Sequence, residues 1–217
     1  MATLKDFTVS APRPLPVIIL VDVSGSMKAN GKIDALNAAM ADMIASFAEE
    51  ANRRVQIEIA IITFGQGEAK VHHRLQPASQ VTWENMEAAG KTPLGGAFDL
   101  AREMLEDRGQ VPSRAYIPTI VLVSDGRPTD EWRDALRKLL ASERGRKAAR
   151  LAMAIGDDAE MPMLNEFLAD ATATVFQAHE ARQIKDFFRQ VTMSVSTRSQ
   201  SSNPNNMSPT TCDDLDY

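Results

Sequence analysis

The chain has 217 residues, of which 44% are hydrophobic and 24% are charged, and its formal net charge is -5. This length and balance predict one globular domain with a remainder, and the negative charge argues against general nucleic-acid binding. The single cysteine excludes an intrachain disulfide framework and a cysteine-based zinc site. Because we find neither a signal peptide nor an apolar run near the ~20 residues of a membrane helix, we expect a cytoplasmic protein without membrane contact.

Segments typical of buried strands alternate with amphipathic segments along the chain. Apolar runs predict strands at 17–21, 55–64, 70–75, 117–124, 151–155 and 175–176. Apolar residues three and four apart predict helices at 33–52, 94–105, 131–142, 161–168 and 184–195. This alternation predicts an α/β fold, a doubly wound and mostly parallel six-stranded sheet with helices on both faces. A hairpin turn at Gly65–Gly67 makes one edge strand antiparallel.

The two ends of the chain differ from its middle. We predict a domain over residues 15–196, preceded by an N-terminal extension of residues 1–14. From Thr197 to Tyr217, 12 residues are Ser, Thr, Asn or Pro. Such a segment has too little apolar surface to offset its ordering entropy, so we predict a disordered tail over 197–217.

Oxygen-bearing side chains follow two of the buried strands. Asp22 ends the first strand and is followed by Ser24 and Ser26, while Thr92 precedes a helix and Asp125 follows the fourth strand. Ligands of open α/β sheets bind beyond the carboxyl ends of the strands, where the strand order reverses. Hydroxyl and carboxylate oxygens suit Mg²⁺, Mn²⁺ or Ca²⁺ and disfavour zinc or copper. We therefore expect a hard divalent metal site there.

This set of residues resembles a known motif. In their order and spacing, the five residues are similar to the metal-ion-dependent adhesion site (MIDAS) of von Willebrand factor type A (VWA) domains, over about residues 15–195. The sequence around the motif, at Pro16–Asp22 and Thr92–Ala97, is most similar to that of the bacterial tellurium-resistance TerY-like branch. The resemblance implies a VWA fold and a protein-interaction module, and it implies no enzymatic activity.

The resemblance also implies how the ligands divide. Ser24, Ser26 and Thr92 would bind the ion directly through their hydroxyls, whereas Asp22 and Asp125 would act mainly through bound waters and by orienting the serines. An ion held by neutral hydroxyls stays electron-poor, so it would take a Glu or Asp from a partner protein. In the TerY-like setting, the implied partners are a Ser/Thr kinase and a protein phosphatase of a tellurite or stress-resistance signalling system.

Three other interpretations remain open at this point. The hydroxyls of Ser24, Ser26, Thr92 and the predicted tail are candidate phosphoacceptors, and a phosphate on a ligand hydroxyl would destroy the ion's geometry. The domain is otherwise an adaptor for a ring-shaped AAA+ ATPase, a role that many bacterial members of the family serve. A metal-dependent hydrolase is the last alternative, but no general base or nucleophile is evident beyond the metal ligands.

Overall fold

The structure is a computed structural model that describes residues 11–50 and 54–206. Its strands are β1 (Arg13–Asp22), β2 (Val55–Gly65), β3 (Glu68–Pro77), β4 (Thr119–Ser124), β5 (Ala149–Ile155) and β6 (Phe176–Ala178). Its α-helices are α1 (Lys32–Glu49), α2 (Leu94–Glu106), α3 (Trp132–Ala141), α4 (Met161–Leu168) and α5 (Ala181–Gln200). None of these helices has the length and apolarity that crossing a membrane requires.

The strands form one six-stranded sheet in the order β3-β2-β1-β4-β5-β6. All neighbouring pairs are parallel except β2 and β3, which are joined by the predicted hairpin. The hairpin turns through Gln66 and Gly67, both with positive φ. The predicted fold class, a mostly parallel sheet with one antiparallel edge strand, is confirmed.

The central strand β1 is buried on both faces, which explains its unbroken apolar sequence. Val17, Ile19 and Val21 pack into a core formed with α1 and α5. Ile18 and Leu20 point the opposite way, into a second core with α2, α3 and α4. All five side chains have no exposed surface, and burial of each stabilises the fold by about 1.5–3 kcal/mol.

The order of the sheet reverses between β1 and β4. From β1 the chain continues to β2 on one side, and it later returns to place β4 on the other side. The carboxyl ends of β1 and β4 therefore lie side by side with their following loops diverging, which is where open α/β sheets form ligand sites.

Helix α5 extends past Ser196, the residue at which we predict that the domain ends. Helix α5 continues through Gln200, Pro204 after it is buried, and Asn205 Oδ1 accepts a hydrogen bond from the Ile117 N–H over 2.8 Å. Arg198 is only 7% exposed, and its guanidinium donates to Thr119 Oγ1 (2.7 Å), Ile117 O (2.7 Å) and Pro204 O (3.0 Å). These bonds fix a segment that its composition alone marks as loop. Residues 207–217 of the predicted tail lie outside the described residues.

Candidate metal site

Asp22 connects the ends of the two central strands. Its side chain has no exposed surface. Oδ1 accepts a hydrogen bond from the Ser24 backbone N–H (2.9 Å), and Oδ2 accepts one from the Ser124 hydroxyl (2.7 Å). The carboxylate therefore sets the path of the loop after β1 and holds it to the last residue of β4.

The two serines after β1 and the aspartate after β4 are in direct contact. Ser24 Oγ and Ser26 Oγ lie 3.0 Å apart, and Ser26 Oγ donates to Asp125 Oδ1 over 2.6 Å. Ser24 and Asp125 are buried, whereas Ser26 is exposed. The hydroxyl of Ser26 thus lies at the surface of an otherwise buried oxygen cluster.

Thr92 reaches the same cluster from a third loop. Its N–H donates to Thr129 Oγ1 (3.2 Å), and its carbonyl accepts from the Thr129 N–H (2.9 Å). A Cβ atom built on Gly126 would lie 3.8 Å from Ser26 Oγ and 3.9 Å from Thr92 Oγ1. The two hydroxyls therefore converge beside Gly126, and the structure brings the predicted site residues together.

A glycine fixes the loop that carries Thr92. Gly90 has a φ of +74°, and its carbonyl accepts from the Gly25 N–H over 3.0 Å. A Cβ atom at Gly90 would lie 2.9 Å from the backbone of Gln66, closer than any side chain allows. Only glycine lets the Thr92 loop dock between the β1 loop and the hairpin turn.

Two residues of the site were missed by the sequence analysis. Lys32, the first residue of α1, places its ammonium 2.7 Å from Asp125 Oδ2. Ser124 holds Asp22 as described above. Ser124 directly precedes Asp125 and carries a hydroxyl, as other members of the motif do. Its place in the sequence could therefore have identified it as part of the site. Nothing in the sequence near Lys32 links it to a residue 93 positions away.

Burial raises the pKa of Asp22 from its ordinary 3.8 to about 6. Loss of hydration is the largest cause; the hydrogen bonds from Ser124 and Ser24 oppose it, and the charge of Asp125 adds to it. The hydrogen bonds to the Asp22 carboxylate therefore do not fully compensate for the hydration that its charge loses on burial. A divalent cation beside it would supply a compensating positive charge.

The donor set fits a hard divalent cation. The converging groups are three hydroxyls and two carboxylates, all of them oxygen donors. The described residues contain no group of three or more His, Cys, Asp or Glu that could hold a metal. A metal site here would therefore depend on the hydroxyls of Ser24, Ser26 and Thr92, which is unlike a carboxylate cage.

The cluster opens into a cleft with a negative lining. Ser26, Thr92 and Asp125 line it together with Gly126 and Arg127 on one side. The loop from β5 to α4 lines the other side with the carboxylates Asp157, Asp158 and Glu160. Acidic groups thus outnumber basic ones in the lining, so the cleft without a cation disfavours an approaching anion.

A family comparison agrees with this fold. The family model for the von Willebrand factor type A domain matches residues 17–127, about half of the chain. The chain therefore belongs to the von Willebrand factor type A domain family. Members of this family are commonly metal-dependent protein-interaction modules, and they are generally not enzymes.

One curated relative and several solved structures are similar to the chain. The uncharacterized protein Rv2850c of Mycobacterium tuberculosis is 35% identical over 118 residues, which are 52% of this chain and 18% of that protein. The ArnB paralog VWA2 of Sulfolobus acidocaldarius superposes with a TM-score of 0.63 at 15% identity, covering 83% of this chain and 46% of that one.

Two further structures share the fold. Proximal thread matrix protein 1 of the mussel byssus, with a zinc-occupied MIDAS motif, superposes with a TM-score of 0.62 at 15% identity over 84% of this chain and 48% of that one. The pilus adhesin SpaC of Lactobacillus rhamnosus GG in its open conformation gives 0.67 at 13% identity over 85% and 30%. The chain spans about half or less of each of these relatives, and the low identities show the fold alone.

Proposed function

We propose that this domain binds a protein partner through a divalent cation held by Ser24, Ser26, Thr92, Asp22 and Asp125. The observation that carries the proposal is the convergence of Ser26 Oγ and Thr92 Oγ1 beside the buried Asp125. The hydroxyls would hold the ion, and the two carboxylates would orient them and offset its charge. When bound, the ion would supply one electrophilic coordination position for a partner's Glu or Asp.

The charge of the cleft supports dependence of binding on the metal. Asp157, Asp158 and Glu160 line the same cleft, and their negative charges would repel an acidic side chain while no cation is present. A divalent ion at the cluster would add two positive charges where the partner's carboxylate arrives. Partner binding would then require the ion for electrostatic reasons as well as for coordination.

We propose Mg²⁺ as the resident ion, with Mn²⁺ and Ca²⁺ as substitutes. Mg²⁺ favours oxygen ligands and retains several waters, which suits a site with few charged groups in direct reach. The zinc-occupied MIDAS motif of the byssus protein is a reason to include Zn²⁺ in any comparison of ions.

The TerY-like resemblance leads us to propose a Ser/Thr kinase and a protein phosphatase as partners, in the cytoplasm, within a stress or tellurite-resistance signalling system. Burial argues against Ser24 and Thr92 as phosphoacceptors, since these residues are only 2% and 6% exposed. Ser26 alone of the three is exposed, but a phosphate there would face the Asp125 carboxylate.

The site also offers poor acid–base chemistry for a hydrolase. Asp22 has the raised pKa that a general base needs. However, it is fully buried, and both of its oxygens already accept hydrogen bonds from Ser24 and Ser124. A non-catalytic binding role is therefore the function that the geometry supports best.

Ser26→Ala tests the metal site directly. Loss of a ligand hydroxyl should weaken Mg²⁺ and Mn²⁺ binding by at least roughly 10–100-fold, measured by isothermal titration calorimetry. Ser46→Ala is the matched control, because Ser46 lies exposed on α1 and its hydroxyl donates within its own helix, to Asp42 O. Equal metal affinity in the two variants, at equal melting temperature, would contradict the proposal.

A further inference from the structure

The positively charged side chain of Lys32 lies against the candidate metal site. The Lys32 ammonium is 2.7 Å from Asp125 Oδ2, while Ser26 donates to Oδ1 of the same carboxylate. The Lys32 side chain is 17% exposed and that of Asp125 is fully buried. The ion pair is therefore shielded from water on the Asp125 side and fixed by hydrogen bonds at both carboxylate oxygens.

The position of Lys32 is unfavourable for its own helix. It is the first residue of α1, where the helix dipole favours acidic side chains and disfavours cations. The chain reaches this position through two consecutive residues with positive φ, Asn30 and Gly31. The contact with Asp125 explains why a lysine stands at the start of this helix, because the helix dipole alone would favour an acidic residue there.

Room for the ammonium is provided from the opposite side. Gly156, at the end of β5, has a φ of +76°, and a Cβ atom there would lie 3.3 Å from Lys32 Nζ. The ammonium thus passes over a glycine to reach the carboxyl end of β4. Three separate segments, around residues 31, 125 and 156, converge on this one ion pair.

Formal charges show what the ion pair does. Asp22 and Asp125 together bring two negative charges to the ends of adjacent strands, and Lys32 offsets one of them. A bound divalent cation would leave the cluster with one net positive charge. The same cluster without Lys32 would be neutral when loaded and doubly negative when empty.

We propose that Lys32 is the built-in counter-ion of the site, which keeps Asp125 in place in the absence of metal and lowers the affinity for the divalent ion. This inference rests on the proposed metal site. Lys32 is a positioning residue, since it acts through Asp125. It makes metal binding readily reversible, and it leaves the loaded site positive toward an acidic partner.

The test compares Lys32→Met with Lys28→Met, a matched loss of an exposed lysine in the turn before α1. In EDTA, Lys32→Met should lower the melting temperature by roughly 5–10 °C, because it leaves a buried carboxylate without its cation. In Mn²⁺ titrations followed by electron paramagnetic resonance, Lys32→Met should tighten the dissociation constant about tenfold, because a competing positive charge has been removed. Lys28→Met should change neither value.

The double variant Lys32→Met/Asp125→Asn guards against simple misfolding. Without the Asp125 charge no counter-ion is needed, so the double variant should melt in EDTA within about 2 °C of Asp125→Asn alone. An unchanged or weaker Mn²⁺ affinity in Lys32→Met, or an equal loss of stability in both backgrounds, would overturn the role of Lys32 alone. Absence of Mn²⁺ binding in the unmodified protein would overturn the metal site and the inference together.

Discussion

At the scale of single residues, the buried charge of the Asp22 carboxylate lowers the stability of the folded protein. The pKa of Asp22 is about 6 in the folded protein and 3.8 ordinarily, so the folded state holds the proton more tightly than the unfolded state. The proton's contribution to stability is complete below about pH 3.8 and is lost as the pH rises through about 6. The difference between the two values corresponds to about 3 kcal/mol for this fully buried group.

Asp22→Asn should therefore stabilise the metal-free protein at neutral pH. The amide keeps the shape and can still accept from the Ser24 N–H, but it removes the buried charge. In urea unfolding with EDTA, we expect the variant to exceed the unmodified protein by up to about 3 kcal/mol at pH 7.5, by about half as much at pH 5, and by little near pH 4. A difference that does not depend on pH would contradict this account. The variant should also lose Mn²⁺ binding, a trade of stability for function.

The sequence indicated the converging oxygen-bearing residues better than the residues that support them. Asp22 and Asp125 each end or follow an apolar strand, so adjacency in the chain fixes their place at one edge of the sheet. Lys32 reaches Asp125 only because tertiary packing brings the start of α1 to the loop after β4, and no local pattern encodes that approach. Local sequence thus encodes which oxygen atoms converge, whereas tertiary packing determines the charge balance around them.

At the scale of elements, the same distinction separates the strands from the end of α5. The run Val17–Val21 is stable only where helices cover both of its faces, so its sequence predicts its environment. The hydroxyl-rich end of α5 has no such signal. There the hydroxyls of Ser196 and Ser199 donate to the carboxylate of Glu50, which lies immediately after α1. Composition places Ser199 in the predicted tail, which begins at Thr197, whereas in the structure both serines fix one helix to another.

Arg198→Met tests whether the last turn of α5 belongs to the domain. Removing the guanidinium leaves Thr119 Oγ1 and the Ile117 carbonyl without their donor, next to the start of β4. We expect a loss of about 2–4 kcal/mol in chemical unfolding, because buried polar groups become unsatisfied. Arg189→Met, on the exposed face of the same helix, should cost less than about 0.5 kcal/mol. Equal effects of the two substitutions would favour the predicted domain end at Ser196.

At the scale of the whole molecule, the cleft combines a hydroxyl cluster with an acidic wall. The β1, Thr92 and β4 loops form one side, and the β5–α4 loop forms the other with Asp157, Asp158 and Glu160. Two consequences follow for a partner. Under the proposed function, its acidic residue would gain a favourable position only when a cation is bound, and the surrounding surface would favour basic groups flanking that residue. The metal would then control whether the partner binds, and the acidic wall would contribute to which partner binds.

A pull-down from a lysate of the native host tests this control with and without EDTA. The unmodified domain and Ser46→Ala should capture a Ser/Thr kinase or a protein phosphatase in Mg²⁺ and release it in EDTA, whereas Ser26→Ala and Thr92→Ala should capture neither. A ring-shaped AAA+ ATPase with the same dependence would instead support the adaptor interpretation. Capture that survives both EDTA and Thr92→Ala would contradict metal-dependent binding, because the partner would then contact a surface that does not need the hydroxyl cluster. Raising the salt concentration in EDTA should weaken the repulsion between the acidic wall and a partner's carboxylate, because salt screens charges. It should not restore capture, because salt supplies no coordination position for that carboxylate.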